Sequence, residues 1–212
     1  MDEFVSALIF IVFSLLVVLN PPGAMMTFAS MTNDLDDRTK TKYAVRSIIL
    51  GCFLSVLFAV AGEIILRLVG ISVDSLKVAG GVLLFTIGYN MTNAKMTSTL
   101  TKDEIRSTQD RDFWVFPIAV PLLCGPGMIS TSIILMGSYQ DILYKVSVIA
   151  AIIFIYLITF FGFIGADRIT KTLGYTGNLV LTRIVGLLLA SLAVGMVTSG
   201  LYSTYLTLSA AA

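Results

Sequence analysis

The chain has 212 residues, of which 57% are apolar and only 13% are charged, and its formal net charge is +1. Soluble domains carry about 25% charged residues, so this composition indicates a membrane protein with several spans. The near-neutral charge without a basic patch argues against nucleic acid as a partner. The chain also has no histidine, which removes the commonest general base and metal ligand. We therefore expect no enzyme, no metal site and no cofactor.

Six apolar runs predict six membrane-spanning helices. A helix needs about 20 apolar residues to cross a bilayer. The runs lie at about 4–31, 44–69, 76–93, 113–138, 143–166 and 179–206. The stretch 96–112 is polar and predicts a loop between a first half, 1–95, and a second half, 113–212. The predicted fold class is an all-α membrane protein with three helices in each half.

Two of the predicted spans contain sequences that interrupt a helix. The first span contains Asn20-Pro21-Pro22-Gly23, and the fourth contains Cys124-Gly125-Pro126-Gly127. Proline lacks an N–H group and clashes with the preceding turn, and glycine is the next worst helix former. Inside a bilayer no water is available to satisfy the freed backbone groups. We predict that the first and fourth helices are both broken at these Pro-Gly motifs.

The two halves show weak internal similarity that predicts a repeat. Pro22-Gly23 and Pro126-Gly127 are 104 residues apart, as are Gly70 and Gly174. Gly81 and Gly186 are 105 residues apart. Because each half has an odd number of spans, the second half enters the membrane from the opposite side. This predicts two inverted-topology three-helix repeats, an arrangement found in secondary transporters.

The distribution of Lys and Arg predicts the orientation in the membrane. Of the fourteen basic residues, only three, Arg67, Lys77 and Lys145, lie on the side that holds both termini and the 2–3 and 4–5 loops. The other eleven lie in or beside the 1–2, 3–4 and 5–6 loops. Since basic residues are enriched on the cytoplasmic side, both termini are expected outside and the loop 96–112 in the cytoplasm.

The breaks are the predicted binding site. A helix that restarts after each break is expected to leave free N–H groups and the positive end of its dipole at membrane depth, where a carboxylate binds well. Glycine allows a ligand to approach the backbone, and hydroxyl groups follow each break. The candidate substrate-binding residues are Asn20, Pro21, Pro22, Gly23, Thr27, Cys124, Gly125, Pro126, Gly127, Ser130 and Thr131. The alternative is that both motifs only kink helices for packing.

Glu63 is the one carboxylate well inside a predicted span. Gly51, Ser55 and Ala59 precede it at four-residue steps, so Glu63 lies on a small-residue face that is expected to pack into the bundle. An inward-facing carboxylate is a candidate carrier of a coupling ion, Na⁺ or H⁺. Arg67 follows four residues later and favours a simple ion pair at the helix end instead. The sequence leaves both interpretations open.

The motifs resemble those of the MarC family of six-span membrane proteins in bacteria and archaea. The more specific motif is Pro121-Leu122-Leu123-Cys124-Gly125-Pro126-Gly127, and the resemblance extends over nearly the whole chain. It implies a multi-pass protein of the prokaryotic cytoplasmic membrane. One branch of the family is associated with transport of small neutral amino acids such as glycine and alanine. This chain departs from the family pattern at Ala24-Met25-Met26, where members often carry a second proline, and at Cys124, which is often Ala.

Together these features predict a secondary transporter of small neutral amino acids with alternating access, the substrate lying between the breaks near the membrane midplane. The expected partners are such an amino acid and the lipid bilayer, and assembly as a homo-oligomer stays open. Alternatives are an exporter of another small metabolite, a channel, or an assembly protein without active transport. A channel needs a continuous polar lining that these spans lack. An intramembrane enzyme lacks paired carboxylates and a Ser-Lys dyad at helical spacing.

Overall fold

A computed structural model describes residues 2–33, 35–93 and 114–211, so the predicted cytoplasmic loop 96–112 lies outside the described residues. Every regular element in the described ranges is helical, which confirms the all-α prediction. The elements are α1 (Asp2–Leu19), α2 (Pro21–Met31), α3 (Asp37–Val69), α4 (Val73–Thr92), α5 (Trp114–Leu123), α6 (Pro126–Ser138) and α7 (Ile142–Ala211).

Four stretches of described helix are long and apolar enough to cross a membrane: Glu3–Met31, Asp37–Val69, Ile142–Ala166 and Leu179–Ser209. A fifth is obtained if α5 and α6 are counted as one span bent by 50°. The third predicted span corresponds to α4, which is helical and long enough but is not apolar enough to be counted among these stretches. Its 20 residues include Asp74 and Lys77, which lower its apolar character. The count of six spans therefore stays a prediction.

Two glycines with positive φ change the direction of the chain. Gly70, with φ 77°, ends α3, and its N–H donates to the Arg67 carbonyl. Gly174, with φ 63°, interrupts α7 between the stretches Ile142–Ala166 and Leu179–Ser209, here called the first and second arms of α7. Glycine adopts this left-handed backbone without a Cβ penalty. Among the described residues these are the two glycines with positive φ.

Helix α4 packs closely against the second arm of α7 through small residues. A Cβ placed on Gly81 would lie 2.8 Å from the Ala193 carbonyl oxygen. A Cβ placed on Gly186 would lie 2.9 Å from the Gly88 carbonyl oxygen. Close backbone approach through glycine and alanine is typical of helices that pack within a bilayer. The order of the contacts shows that the two helices run in opposite directions.

The interior is apolar, and so is much of the outer surface. The Phe28 ring of α2 stacks on the Phe163 ring of the first arm, with centroids 4.2 Å apart. On the outside, large apolar side chains such as Ile9, Phe53 and Leu187 are more than half exposed. An aqueous surface would penalise so many exposed apolar side chains, whereas acyl chains do not. The exposed faces of these helices therefore suit contact with lipid.

Candidate functional site

The first break lies at Asn20, which separates α1 from α2. Asn20 has left-handed backbone angles, φ 50° and ψ 64°. Its side-chain oxygen accepts a hydrogen bond from the Gly23 N–H at 3.2 Å, and its carbonyl accepts from the Ala24 N–H at 3.0 Å. Pro21 and Pro22 have no N–H. The expectation of free N–H groups at this helix start is therefore wrong, because the prolines remove two donors and Asn20 satisfies the next two.

Because of the same prolines, the last carbonyls of α1 have no hydrogen-bond partner among the described residues. In a continuous helix the carbonyls of Val17, Val18 and Leu19 would accept from the N–H groups four residues later. Pro21 and Pro22 cannot donate, and the Gly23 N–H is bonded to the Asn20 side chain instead. The first break thus exposes hydrogen-bond acceptors and carries the negative end of the α1 dipole.

The side chains that follow the first break form a closed local network. A Cβ on Gly23 would lie 2.2 Å from Asn20 Nδ2, so the amide occupies the space over Gly23. The Thr27 hydroxyl donates to the Gly23 carbonyl at 2.9 Å. Asn20 Nδ2 also lies 3.9 Å from the Met91 sulfur of α4. Asn20, Gly23 and Thr27 therefore shape the break, and their polar groups are largely engaged with one another.

The second break has the opposite backbone chemistry. Helix α5 has π-type hydrogen bonding and non-helical angles at Phe116 and Val120. Helix α6 begins at Pro126 after Gly125, and no side chain caps it. The Ile129 N–H is the first of α6 with a backbone acceptor, the Gly125 carbonyl at 3.0 Å. Among the described residues the N–H groups of Gly127 and Met128 have no acceptor. The sequence predicted free N–H groups at both breaks, and the structure has them at the second break.

The two breaks lie side by side. A Cβ on Gly127 would lie 3.4 Å from Cγ1 of Val18, which is in the last turn of α1. The same Cβ would lie 2.4 Å from Cδ2 of Leu84 in α4. The last turn of α1 therefore packs against the first turn of α6. In the present conformation the buried Leu84 side chain covers Gly127.

Helices α1 and α6 carry several buried hydroxyl groups. Ser130 donates to the carbonyl of Pro126 at 2.9 Å or of Gly127 at 3.1 Å. Thr131 and Ser132 are buried, and their hydroxyls have no partner among the described residues; the same holds for Ser14 of α1. Buried hydroxyls normally find a hydrogen-bond partner, so each unpaired one calls for an explanation.

A tyrosine from the first arm of α7 binds the end of α5. Tyr156 Oη donates to the Leu123 carbonyl at 2.9 Å and lies 2.8 Å from Ser55 Oγ of α3. A phenol has one hydrogen, so Ser55 donates to Tyr156. Gly51 makes room, because a Cβ there would lie 3.0 Å from Tyr156 Cε1. The adjacent Cys124 is a buried free thiol.

Glu63 forms the ion pair that its spacing predicts. Arg67 Nη2 lies 2.6 Å from Glu63 Oε1, and the Glu63 side chain is 39% exposed. The pair lies in the last two turns of α3. Among the described residues, no group of three or more His, Cys, Asp or Glu side chains is arranged to hold a metal ion.

Sequence reasoning missed four features of this region. The sequence contained a signal for the unpaired carbonyls of Val17 and Val18, because each has a proline, which has no N–H group, four residues later. Ser14 was also visible as a polar residue in an apolar run. Leu84 and Tyr156 carried no signal, because their roles arise from contacts between helices that are distant in the sequence.

Comparisons with known proteins identify the family. The family model described as MarC family integral membrane protein matches residues 5–205. A UPF0056 membrane protein of Methanocaldococcus jannaschii is 33% identical over 189 residues, covering 89% of this chain and 92% of that protein. The UPF0056 membrane protein YvbG of Bacillus subtilis is 34% identical over 199 residues, covering 92% and 94%. No solved structure matches this chain. The chain belongs to the MarC family of integral membrane proteins.

Proposed function

We propose that this protein is a secondary transporter of small neutral amino acids and that the substrate binds between the two breaks. The observation that carries the proposal is the opposite backbone chemistry of two adjacent breaks. The end of α1 offers unpaired carbonyls at Val17, Val18 and Leu19, and the start of α6 offers unpaired N–H groups at Gly127 and Met128. Val18 and Gly127 are in contact distance of each other.

An amino-acid zwitterion complements both sets of groups. Its ammonium donates to carbonyls at the negative end of α1, and its carboxylate accepts from N–H groups at the positive end of α6. Unpaired backbone groups at membrane depth are costly, so a ligand that pairs both sets gains more than it would in water. This replaces the sequence-based picture of two opposed helix N-termini with one helix C-terminus and one N-terminus.

The packing around the breaks favours a small substrate side chain. Leu84 covers Gly127 from α4, and Val18 covers it from α1, so a ligand has to displace apolar side chains to reach the N–H groups. Ser14 precedes Val18 by one helical turn, and Thr131 follows Gly127 by one turn. If α1 and α6 are antiparallel, as the proposed topology requires, these unpaired hydroxyls lie on the same side of the breaks and add polar groups to the site.

The inverted repeat is part of the proposal because alternating access is built on it. Its support is twofold. The two positive-φ glycines, Gly70 and Gly174, have the same 104-residue separation as the two Pro-Gly motifs. Gly186 lies 105 residues after Gly81, and Gly88 lies 105 residues before Ala193, so the Gly81–Ala193 and Gly186–Gly88 contacts correspond to each other. A two-fold axis between antiparallel α4 and the second arm would generate both pairs. We propose α4 as the sixth span, with both termini outside the prokaryotic cytoplasmic membrane.

Uptake of labelled glycine and alanine into proteoliposomes tests the function. The purified protein is reconstituted, and uptake is measured with and without imposed Na⁺ and H⁺ gradients, with protein-free liposomes as the control. We expect saturable uptake that a gradient of one of these ions increases. Absence of flux of every small neutral amino acid under all gradients would contradict the proposal.

A competition experiment tests the zwitterion argument separately. Glycinamide keeps the ammonium and lacks the carboxylate, whereas acetate keeps the carboxylate and lacks the ammonium. Because each half of the site needs its own charged partner, we expect both to compete at least about 10-fold less well than unlabelled glycine. Competition by either compound at the level of glycine would show that one break alone binds the substrate.

A further inference from the structure

At the second break a side chain from another helix hydrogen-bonds to the last backbone carbonyl before the break, and among the described residues the first break has no equivalent bond. The Tyr156 hydroxyl, 1% exposed as a residue, donates to the Leu123 carbonyl at the end of α5 and accepts from Ser55 of α3. These three residues, here called the tyrosine latch, belong to three different helices. Each is buried, so neither water nor lipid headgroups can substitute for a lost partner.

Tyr156 bonds to the carbonyl that would accept the Gly127 N–H if α5 and α6 formed one continuous helix. In a continuous helix the Gly127 N–H would donate to the Leu123 carbonyl, four residues earlier. Here that carbonyl receives the Tyr156 hydroxyl, and the Gly127 N–H has no acceptor among the described residues. A bond from another helix thus satisfies the last carbonyl of α5, while the Gly127 N–H at the start of α6 stays unpaired among the described residues.

In the described part of the chain, no side chain from another helix hydrogen-bonds to the last carbonyls of α1. Leu19 is 104 residues before Leu123, and Cys52 is 104 residues before Tyr156. A cysteine at the matching position carries no phenol and is too short to copy the latch. The first break is instead fixed locally by the Asn20 cap on Gly23. One break is therefore shaped by its own side chain, and the other by the packing of α3 and α7.

We propose that Tyr156, supported by Ser55, is a positioning residue that holds the second break open and keeps the Gly127 N–H available to the substrate carboxylate. The proposal rests on the proposed function, because it assigns Tyr156 a role in that same site. It also identifies the second break as the one whose geometry depends on how the helices pack.

Thiol labelling provides a test that does not depend on transport. The chain has two cysteines, so replacing Cys52 by Ala leaves Cys124, next to Leu123, as the only thiol. In this background Tyr156→Phe removes the hydroxyl and keeps the ring. We expect Cys124 to react about 10-fold faster with a methanethiosulfonate reagent in detergent, because the end of α5 detaches more often.

The matched control is Thr159→Val on the same arm. Thr159 is also buried, but its hydroxyl donates to the Ile155 carbonyl of its own helix at 2.8 Å. We expect its labelling rate to stay within about twofold of the parent, since no contact between helices is lost. Ser55→Ala removes the donor to Tyr156 and should give a rate between those of the parent and Tyr156→Phe. Equal rates for Tyr156→Phe and Thr159→Val would overturn the proposal.

Glycine binding distinguishes positioning from packing. Tyr156→Phe should weaken glycine binding about 10-fold, whereas Thr159→Val should not, at comparable melting temperatures. Faster labelling with unchanged glycine affinity would overturn the link to the substrate. If the parent protein binds no amino acid, the proposed function fails, and the labelling rates alone still decide whether Tyr156 holds the break.

Discussion

The two breaks have related sequences and opposite chemistry. Asn20-Pro21-Pro22-Gly23 contains a capping side chain and two consecutive prolines, so it satisfies its donors and leaves acceptors at the end of α1. Gly125-Pro126-Gly127 has a glycine at the capping position, so the donors at the start of α6 stay free. Both breaks contain a Pro-Gly pair, but the capping residue and the number of prolines differ, and these differences determine which backbone groups stay unpaired.

The largest contrast is expected from placing a methyl group on a glycine of each break. A Cβ at Gly125 would lie 2.5 Å from the Pro121 carbonyl oxygen, which is backbone and cannot rotate away. At Gly23 the clash is with the Asn20 amide, which can swing out at the loss of its cap. We expect Gly125→Ala to cost about 3 kcal/mol and Gly23→Ala about 1 kcal/mol of unfolding free energy. Thermal unfolding in detergent checks this, and similar losses would show that both breaks are equally rigid.

Replacing one proline in each break should affect substrate binding in only one case. Pro22→Ala supplies an N–H that can donate to the Val18 carbonyl, which removes an acceptor for the ammonium. We expect glycine to bind about 10- to 100-fold more weakly, while the melting temperature stays the same or rises. Pro126→Ala restores an N–H that can donate to the Leu122 carbonyl of α5 and removes neither the α1 acceptors nor the N–H groups of Gly127 and Met128, so its glycine affinity should stay near that of the parent. A larger loss for Pro126→Ala than for Pro22→Ala would reverse the assigned roles of the breaks.

Shortening Leu84 tests what limits the space beside the second break. Leu84 is buried over Gly127, so Leu84→Val should admit a substrate with one more methylene group. We expect the ratio of 2-aminobutyrate to alanine uptake to rise about 10-fold, with a stability loss of about 1 kcal/mol. Leu189→Val is the control, because Leu189 belongs to the same buried cluster without being a neighbour of Gly127. An unchanged ratio in Leu84→Val would place the size limit elsewhere.

The sequence predicts the global features of this protein better than the polarity of its site. Composition alone predicts the all-α membrane class, and the motif 121–127 identifies the MarC family. Proline chemistry also predicts which backbone donors are missing, because it does not depend on the fold. The preference of asparagine for N-cap positions predicts that Asn20 can begin α2, which is confirmed, whereas its left-handed backbone conformation was not predicted. Tyr156 was not predictable at all, because it meets Leu123 only after the helices pack.

The smallest expected effect is the pH dependence of stability at two helix caps, Asp36 in the loop before α3 and Asn20 at the first break. Asp36 caps α3 in the loop after α2, and hydrogen bonds from the Thr39 side chain and backbone N–H hold the pKa of Asp36 below its ordinary value of 3.8. A folded-state pKa that is depressed adds stability above the ordinary value, and this stability is lost as the pH falls through the folded-state pKa. Asp36→Asn keeps an equivalent cap without a charge. The melting temperatures of the parent and Asp36→Asn should therefore differ slightly at neutral pH and converge in acid.

Asn20, in contrast, has no titrating group, and its cap is partly buried. Asn20→Ala should lower the unfolding free energy by about 1 kcal/mol at every pH, for two reasons. It removes the bond to the Gly23 N–H, and alanine adopts the left-handed backbone conformation of this position less readily than asparagine. Melting curves of both variants across the acidic range make the comparison. A difference for Asn20→Ala that disappears in acid would mean that its cap is coupled to a titrating group, and the first break would then not be the locally fixed one.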